Sequence, residues 1–468
     1  MKQIDILPDD VLLEIFDFYT ITDPLDDIPL HEHKKAIETW QLLIHVCRRW
    51  RSLVLGSPRR LNLRLDCTSK TPVREKLDVW PALPLVVEDW DSTGLSSDTD
   101  NIIAALEHCN RICQVDFYLV NLEEVLAPMQ VPFPELTDLD LMSLDTEPPV
   151  IPDSFLDGSA PRLRHFKLCG ILFQGLPKLL LTAVHLVSLS LSDIPDSGYI
   201  SPEAMVAILS ALPALRILSL SLEFQSRQSR ASSGWESQSI HQPKRSILPA
   251  LHKFHFTGVT EYSEEFVTHI DAPQLDELYM TFSNEIDFDC PQLAQFINRS
   301  PTLRARDEAH VQFNHYITGV VLPAQSRALH IKILSTGRDR QFSFIKQFCN
   351  ASLHPLSTVE DLYIEDGNLQ LVWKNDVIET TLWLQLLLPF TAVKNLYLSK
   401  EFAPGIVAAL RDLVGGTTAG VLPSLQNIFV ERPEPSGPLP EKIGQFVATR
   451  QLSGRPVAIS FWDKDSKI

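Results

Sequence analysis

A short apolar template recurs along most of this chain, and it constrains the fold more than any other feature. The template is Pro-x-Leu-x-x-Φ-x-Φ, in which Φ is an apolar residue. Six segments follow it, beginning at Phe133, Ala160, Leu212, Leu248, Ala272 and Leu422. The segments "VHLVSLSL", "LSTVEDLYI" and "FTAVKNLYL" fit it without the proline. The alternating apolar pair that ends each segment predicts a short strand with one buried face.

The spacing of the template predicts a repeat array. Its first Leu or Val falls at positions 136, 163, 186, 215, 251, 275, 359, 393 and 425. Every step is between 23 and 36 residues except the step from 275 to 359, which is 84 residues and equals three steps of 28. We therefore predict two degenerate repeats inside that gap, at "SPTLRARDEAHVQF" and "RALHIKIL", and an earlier unit at "NRICQVDFYL".

Short helical patterns lie between the strands. In "SPEAMVAILSAL", Ser201 is the expected N-cap and Pro202 the first helical residue. Equivalent places are taken by "SEEFVTHI", "CPQLAQFIN", "FSFIKQFC", "ETTLWLQLLL" and "PGIVAALRDLV". Because one such unit cannot bury its own apolar face, neighbouring units must stack. The order of helix, Pro-x-Leu and strand resembles irregular leucine-rich-repeat arrays, which implies an α/β solenoid with a parallel sheet on its concave face.

The first segment of the chain carries more apolar residues than a terminal helix needs. In "ILPDDVLLEIFDFYT" the residues Val11, Leu12, Ile15, Phe16 and Tyr19 form one helical stripe, and further apolar residues lie off it. A second helical segment follows, "TWQLLIHVCRRWRSLVLGSP". About 55 residues give a marginal core on their own. Either a partner protein covers the surplus apolar surface, or these helices pack on the rest of the chain.

Three short motifs in order resemble an F-box: Leu7-Pro8, then Ile15-Phe16, then the Val-Cys-Arg-x-Trp sequence that starts at Val46. The resemblance implies a small helical unit that docks onto the Skp-type adaptor of SCF ubiquitin ligases. The matching apolar positions, which would share adaptor contact and internal packing, are Leu7, Pro8, Leu12, Ile15, Phe16, Val46, Cys47 and Trp50. With the repeats, the chain resembles the F-box protein family expanded in mushroom-forming fungi. We predict an F-box module over 1–58, connecting strands or linker over 59–100 and the array over 101–468.

The composition of the chain indicates which classes of partner and which compartment to expect. The formal net charge is −18, which argues against general binding to a phosphate backbone, so we expect no nucleic acid partner. We see no signal peptide and no apolar run of membrane-spanning length, and so expect a reduced cytoplasmic or nuclear protein with no membrane partner. The seven scattered cysteines are then small core residues. The Ser-rich insertion at 225–245 is predicted to be a disordered loop.

Nothing in the sequence points to catalysis or to a cofactor. The "DEAH" at Asp307 matches a helicase box, but the chain contains no Gly-Lys pair for the phosphate loop that such an enzyme needs. His31 with His33, and Cys109 with Cys113, lack a second pair at zinc-site spacing. There is no G-x-S-x-G motif. Alternating strands and helices also fit a catalytic barrel, but a shared Pro-Leu template favours stacking. We therefore predict no catalytic residue, no metal and no cofactor.

The residue between the two Φ positions should lie on the open side of the sheet, because side chains alternate along a strand. In the earlier repeats this residue is Asp140, Lys167, Ser190, Ser219 or His255. In the later repeats it is Tyr279, Tyr363, Tyr397 or Phe429. An aligned and partly exposed aromatic column suits recognition of a protein target. The alternative is that the column packs on itself or under a C-terminal segment.

These observations together predict a substrate-receptor subunit of an SCF-type ubiquitin ligase that performs no chemistry itself. Its N-terminal module would bind the adaptor, and its array would hold a protein target. Two alternatives stay open at this stage: an adaptor-binding scaffold that ubiquitinates nothing, and a repeat-barrel hydrolase.

Overall fold

The computed structural model describes residues 7–20, 43, 45–55, 63–80, 82–89, 98–174, 176–194, 196–222, 245–283, 290–303, 307–314, 316–324, 327–335, 337–350, 353–366, 380–412, 421–431, 441–452 and 456–463. The predicted insertion at 225–245 lies outside these ranges except for its last residue, and His31 and His33 lie outside them as well. Contacts between residues divide the chain into unit 1, Met1–Leu186, and unit 2, Val187–Ile468.

Unit 1 combines short helices with a parallel sheet. Its α-helices are Asp9–Thr20 (α1), Arg48–Leu55 (α2), Val73–Val79 (α3), Thr99–Leu106 (α4), Leu122–Leu126 (α5) and Leu176–Thr182 (α6). Its strands are Leu63–Asp66 (β1), Leu85–Asp89 (β2), Ile112–Leu119 (β3), Asp138–Ser143 (β4), Val150–Ile151 (β5), His165–Cys169 (β6) and Leu172–Phe173 (β7). Strands β1, β2, β3, β4 and β6 pair in parallel in that order, and β5 pairs with β7. The segment predicted as connecting strands or linker, 59–100, supplies two strands of this sheet.

Unit 2 repeats the arrangement. Its α-helices are Pro202–Leu209 (α7), Thr260–Thr268 (α8), Pro291–Arg299 (α9), Arg338–Asn350 (α10), Thr380–Leu387 (α11), Ala403–Asp412 (α12) and Glu441–Leu452 (α13). Its strands are Ser188–Ser192 (β8), Ile217–Ser221 (β9), Ser246–Ile247 (β10), Lys253–Gly258 (β11), Ile270–Asp271 (β12), Glu277–Phe282 (β13), Glu308–Phe313 (β14), Ile317–Ala324 (β15), Arg327–Leu334 (β16), Asp361–Asp366 (β17), Asn395–Leu398 (β18), Asn427–Glu431 (β19) and Ala458–Trp462 (β20). The main sheet has the order β8-β9-β11-β13-β16-β15-β14-β17-β18-β19-β20.

The Pro-x-Leu part of the template is a tight turn that enters each strand. The backbone N–H of the template leucine donates to the carbonyl oxygen three residues earlier, and proline takes the second turn position that its fixed φ favours. These bonds are 3.2 to 3.3 Å long at Leu136, Leu163, Leu215, Leu251, Leu275 and Leu425. Each of these leucines is buried. The template therefore encodes both the turn and the first core contact of a repeat.

Side chains alternate along the strands as predicted. In β11 and β13, for example, every second residue is buried, and the residues between are partly exposed. We call the face that carries the partly exposed residues the open face. The buried residues face the helices, where Phe313, Phe342 and Trp383 pack with ring centroids 4.9 to 6.3 Å apart. The predicted cap also forms, since Ser201 Oγ accepts from the backbone N–H of Ala204 at 3.2 Å.

The long template gap is built differently from the prediction. Its two predicted segments do form strands, β14 and β16, but a third strand, β15, lies between them and is antiparallel to both. Strand β16 pairs with β13, and β14 pairs with β17, so the order of strands is reversed here. The expectation of a purely parallel sheet is therefore wrong in this region. The reason is connection length, because two or three residues allow only a hairpin, whereas a parallel crossover needs about a dozen or more.

Candidate docking helices and binding face

The N-terminal helices have a small core of their own. Leu12, Phe16, Leu43 and Val54 are buried together, and Trp50 packs against them. The Phe16 and Trp50 rings lie 4.7 Å apart, centroid to centroid. Leu12 is 1% exposed and Phe16 is 4% exposed. These two residues were predicted to share adaptor contact and internal packing, and the structure places them in the internal core.

Other apolar residues of the same helices face outward. Val11 is 38% exposed, Ile15 is 40% exposed and Val46 is 58% exposed. Pro8 is also exposed, and Leu7 and Cys47 are half-buried. Of the predicted set, Pro8, Ile15 and Val46 are thus accessible to a partner. Val11 joins them, although the sequence analysis left it out of the adaptor-contact set.

An arginine ties the two helices together at one end. The Arg49 guanidinium donates to the backbone carbonyl oxygen of Leu7 and to the Asp9 carboxylate, which lies 2.6 Å away. This contact holds the Leu-Pro turn against the start of α2. Arg49 occupies the variable position of the Val-Cys-Arg-x-Trp motif, so no local pattern signals that it reaches this carbonyl group.

One row of side chains crosses the open face of unit 2, with one residue from each strand. In sheet order the row is Ser190, Ser219, His255, Tyr279, His330, Val321, His310, Tyr363, Tyr397, Phe429 and Ser460. Tyr363, Tyr397 and Phe429 are direct neighbours in it. Tyr279 lies in the same row, but strands β16, β15 and β14 separate it from Tyr363. The four predicted target-binding residues therefore form two groups rather than one.

Four consecutive rings of this row form a face-to-face stack. The centroid distances are 4.5 Å for His310 and Tyr363, 4.1 Å for Tyr363 and Tyr397, and 4.5 Å for Tyr397 and Phe429. The ring planes are within 10° of parallel. We call His310, Tyr363, Tyr397 and Phe429 the ring stack. Because its rings cover one another's faces, an inner ring can offer a partner only its edge and hydroxyl group, and of the two inner rings only Tyr397 is partly exposed.

The stack is partly covered by the last strand. The Trp462 indole lies edge-on to Tyr363 and Tyr397, at 5.9 and 5.7 Å, and its Nε1 donates to the Leu398 carbonyl oxygen at 3.3 Å. Tyr363 is only 1% exposed, and burial raises its pKa to about 12. The expectation that every ring of the column is partly exposed is therefore wrong for Tyr363. Tyr397 and Phe429 remain partly exposed.

Two histidines of the row have opposite electrostatic surroundings. Burial by itself lowers the pKa of His310, but the Glu365 and Glu308 carboxylates outweigh burial and raise it above its usual value. The ring nitrogens lie 2.7 Å from Glu308 Oε1 and 3.4 Å from Glu365 Oε1. At His330, burial and the nearby Lys332 lower the pKa to about 4. His330 packs instead against Tyr279, at 4.3 Å between centroids.

An amide ladder runs beside the ring stack, two residues earlier on the same strands. The Asn395 side-chain amide donates to Asp361 Oδ1 at 2.6 Å, and the Asn427 amide donates to Asn395 Oδ1 at 2.7 Å. On the other side of the stack, Glu431 accepts from the backbone N–H of Lys400 at 3.2 Å. The open face from β14 to β20 thus combines stacked rings with carboxylate and amide oxygen atoms.

The open face of unit 1 has a charged row instead. The directly paired residues are Asp66, Glu88, Asp116, Asp140 and Lys167. The Lys167 ammonium lies 2.8 Å from Asp140 Oδ2. Burial, with the neighbouring carboxylates of Asp140 and Glu88, raises the pKa of Asp116 to about 7. This row contains the polar residues Asp140 and Lys167 that the sequence analysis placed on the open side.

The described ranges contain neither a cluster of metal ligands nor a membrane-spanning helix. Those ranges contain no group of three or more His, Cys, Asp or Glu side chains arranged to hold a metal ion. Burial, together with Asp138, raises the pKa of the Cys113 thiol to about 12, so it is protonated at neutral pH and a poor metal ligand. None of the described helices combines the length and apolar character needed to cross a bilayer.

Comparisons with known proteins give only distant structural likenesses. Neither a protein-family model nor a curated protein sequence matches this chain. The solved structure of TLR13 in a complex with ssRNA13 aligns over 86% of this chain and 49% of its own, with 11% identity and a TM-score of 0.33. The leucine-rich repeat-containing protein LegL7 from Legionella pneumophila aligns over 84% and 98%, with 12% identity and a TM-score of 0.26. This chain spans about half of the TLR13 chain. The fold assignment therefore rests on the repeated turn and the strand register.

Proposed function

We propose that this protein is the substrate-receptor subunit of an SCF-type ubiquitin ligase. The N-terminal helices dock onto a Skp-type adaptor, and the open face of unit 2 holds a protein target. The observation that carries the proposal is the exposed apolar set Val11, Ile15 and Val46. The core beneath it is already closed by Leu12 and Phe16, so these three side chains are in excess of what the helices need for their own packing.

The F-box resemblance supports the same assignment. Its Leu-Pro motif directly precedes α1, its Ile-Phe motif lies on α1, and its Val-Cys-Arg-x-Trp motif runs from the segment before α2 into that helix. Within them, Phe16 and Trp50 hold the helices together, and Pro8, Ile15 and Val46 are available for contact. The proposed adaptor surface is therefore Pro8, Val11, Ile15 and Val46.

The chemistry of the open face favours a protein target over a nucleic acid. Base recognition by stacking needs free ring faces, but the inner rings of the stack are covered on both sides. The face positions of β14 and β17 to β19 also carry Glu308, Asp361, Glu365 and Glu431. These carboxylates repel a phosphate backbone. Tyrosine edges and carboxylates suit a polypeptide surface that carries positive charge.

The protein would act by proximity, since a receptor raises the effective concentration of the target near the catalytic subunits of the ligase. The scaffold alternative shares the adaptor contact and differs only in whether a bound target is ubiquitinated. The barrel alternative is disfavoured, because the strand order of unit 2 runs from β8 to β20 without pairing of these two strands in the described residues.

The direct test is co-precipitation with a Skp-type adaptor. Changing Ile15→Asp together with Val46→Asp should remove adaptor recovery while leaving the melting temperature unchanged, because both side chains are exposed. Val79→Asp is the matched control, since Val79 is 82% exposed on α3, outside the proposed surface. Equal adaptor recovery by the double variant and the control would contradict the proposal.

A further inference from the structure

The ring stack and the amide ladder of the open face both end at β19 and do not continue onto β20. In the register of β19 with β20, Phe429 lies opposite Ser460, and Asn427 lies opposite Ala458. Ser460 and Ala458 are exposed, and neither side chain can extend a ring stack or an amide ladder. Each ladder therefore ends one strand before the edge of the sheet.

The ends of the two ladders leave specific groups without a neighbour. In the described residues, Phe429 contacts a single ring, that of Tyr397, so its other face is turned toward the space above Ser460. The Asn427 side-chain amide donates to Asn395. Within the described part of the chain, no donor reaches the side-chain oxygen of Asn427, Oδ1. The Trp462 indole does not fill this space, because it reaches back to Leu398 on β18.

The third group beside this space is a carboxylate. Glu431 lies on the open face, two residues beyond Phe429, opposite Trp462 in the register. The face positions of β14 and of β17 to β20 hold four carboxylates and no lysine or arginine. A planar ring face and an amide oxygen thus border this position above Ser460, the Glu431 carboxylate follows two residues further along β19, and the surplus of carboxylates on this face favours a cation.

We propose that this position binds an arginine side chain of the target protein. The guanidinium stacks on Phe429 above Ser460 and lies between the side-chain oxygen of Asn427 and the Glu431 carboxylate. The inference rests on the proposed role of unit 2 as the target-binding unit. A guanidinium is flat, so it continues a stack whose rings are 4.1 to 4.5 Å apart. Its N–H donors point outward in the plane of the group, so it can donate to oxygen atoms on two sides while it stacks. A lysine ammonium cannot stack in this way, and an apolar ring would leave, among the described residues, the Asn427 side-chain oxygen without a donor and the Glu431 carboxylate with only the Lys400 N–H.

The test uses arrays of short degenerate peptides with a fixed central residue, probed with the full-length protein. The central residue is arginine, lysine or citrulline, which has the shape of arginine without its charge. We expect the arginine array to retain about fivefold more protein than the citrulline array, as for a partly desolvated cation on an aromatic face. Lysine should fall between them.

Ser460→Tyr is the decisive variant, because its ring would occupy the position from within the chain. It should remove the preference for arginine without lowering the melting temperature, since a fifth ring extends the stack. Ser219→Tyr is the matched control, being a serine of the same row at the other end of unit 2. Glu431→Gln should reduce the preference for arginine over citrulline while retaining some binding.

Equal retention of arginine and citrulline peptides by the native chain would overturn the inference, as would an unchanged preference for arginine in Ser460→Tyr. These results are separate from the test of the proposed function. An arginine preference that Ser460→Tyr abolishes, in a chain that recovers no adaptor, would support this site and contradict the ligase role. Adaptor recovery without any arginine preference would contradict this site alone.

Discussion

The open faces of the two units share one backbone arrangement and carry opposite kinds of side chain. In unit 1 the middle row is Asp66, Glu88, Asp116, Asp140 and Lys167, and in unit 2 the corresponding template position becomes a run of rings. Neighbouring strands are about 4.8 Å apart in either case. Ionised carboxylates at that spacing repel one another, whereas stacked rings attract by about 0.5–1.5 kcal/mol a pair.

The difference shows which part of a repeat is free to vary. The turn and the two Φ residues are set by the core, so they recur in both units. The residue between them packs against no helix, and its identity changes without altering the repeat. Differences in binding between the two units should therefore arise at this position. Removing a ring from the row of unit 2 should lower the free energy of unfolding, whereas neutralising a carboxylate in the row of unit 1 should raise it.

The largest expected effect is the loss of a stacked ring. Tyr363→Ala should lower the free energy of unfolding of unit 2 by about 3–4 kcal/mol, because it empties a buried position between two rings. Urea unfolding followed by tryptophan fluorescence would measure it. A loss below about 1 kcal/mol would show that the stack contributes little to stability.

A smaller effect of opposite sign is expected in unit 1. The folded pKa of Asp116 is about 7, above its ordinary 3.8, so the folded state holds a proton that the unfolded state releases between these values. Stability from this group is therefore present at low pH and is lost as the pH rises toward 7. Asp116→Asn should stabilise the protein by about 1–2 kcal/mol at pH 8 and leave it unchanged near pH 4.

Denaturant titrations of both proteins at the two pH values would give this difference. Ser190→Asn, at a polar position of the same kind in unit 2, serves as the control and should show no pH-dependent gain. A destabilised Asp116→Asn would contradict the account of the charged row as a cost to folding.

The smallest effect concerns the histidine at the end of the ring stack. The folded pKa of His310 is raised above its ordinary 6.5 by Glu365 and Glu308, so its contribution is complete below 6.5 and is lost as the pH rises through the folded value. His310→Phe keeps a ring in the stack and removes the titration. Between pH 6 and pH 8, the free energy of unfolding of the native chain should fall by about 0.5 kcal/mol more than that of this variant. Parallel pH profiles of the two proteins would contradict this assignment.

Local patterns in the sequence predicted the parts of the fold that local chemistry decides. The turn before each strand follows from a proline and a leucine two residues apart, and the row that holds Tyr363, Tyr397 and Phe429 follows from strand alternation. The antiparallel strand β15 was missed because "ITGVVLPA" has no Pro-x-Leu signal. Its position depends on two short connections, which decide the pairing only once the strands are known.

Other features depend on contacts between distant residues. Trp462 buries Tyr363 from about a hundred residues away, and nothing near either residue signals that contact. The division of α1 into the buried Leu12 and Phe16 and the exposed Val11 and Ile15 depends on where α2 packs. Periodicity identified the apolar stripe but not which of its edges the second helix covers.

The central claim is that adaptor and target occupy separate surfaces of this chain. Hydrogen–deuterium exchange of the full-length protein, with and without a Skp-type adaptor, tests it most directly. The account predicts that the adaptor slows exchange in peptides covering 7–20 and 43–55 and leaves peptides covering β17, β18 and β19 unchanged. Unchanged exchange in the N-terminal peptides, or slowed exchange confined to the ring-stack strands, would contradict it.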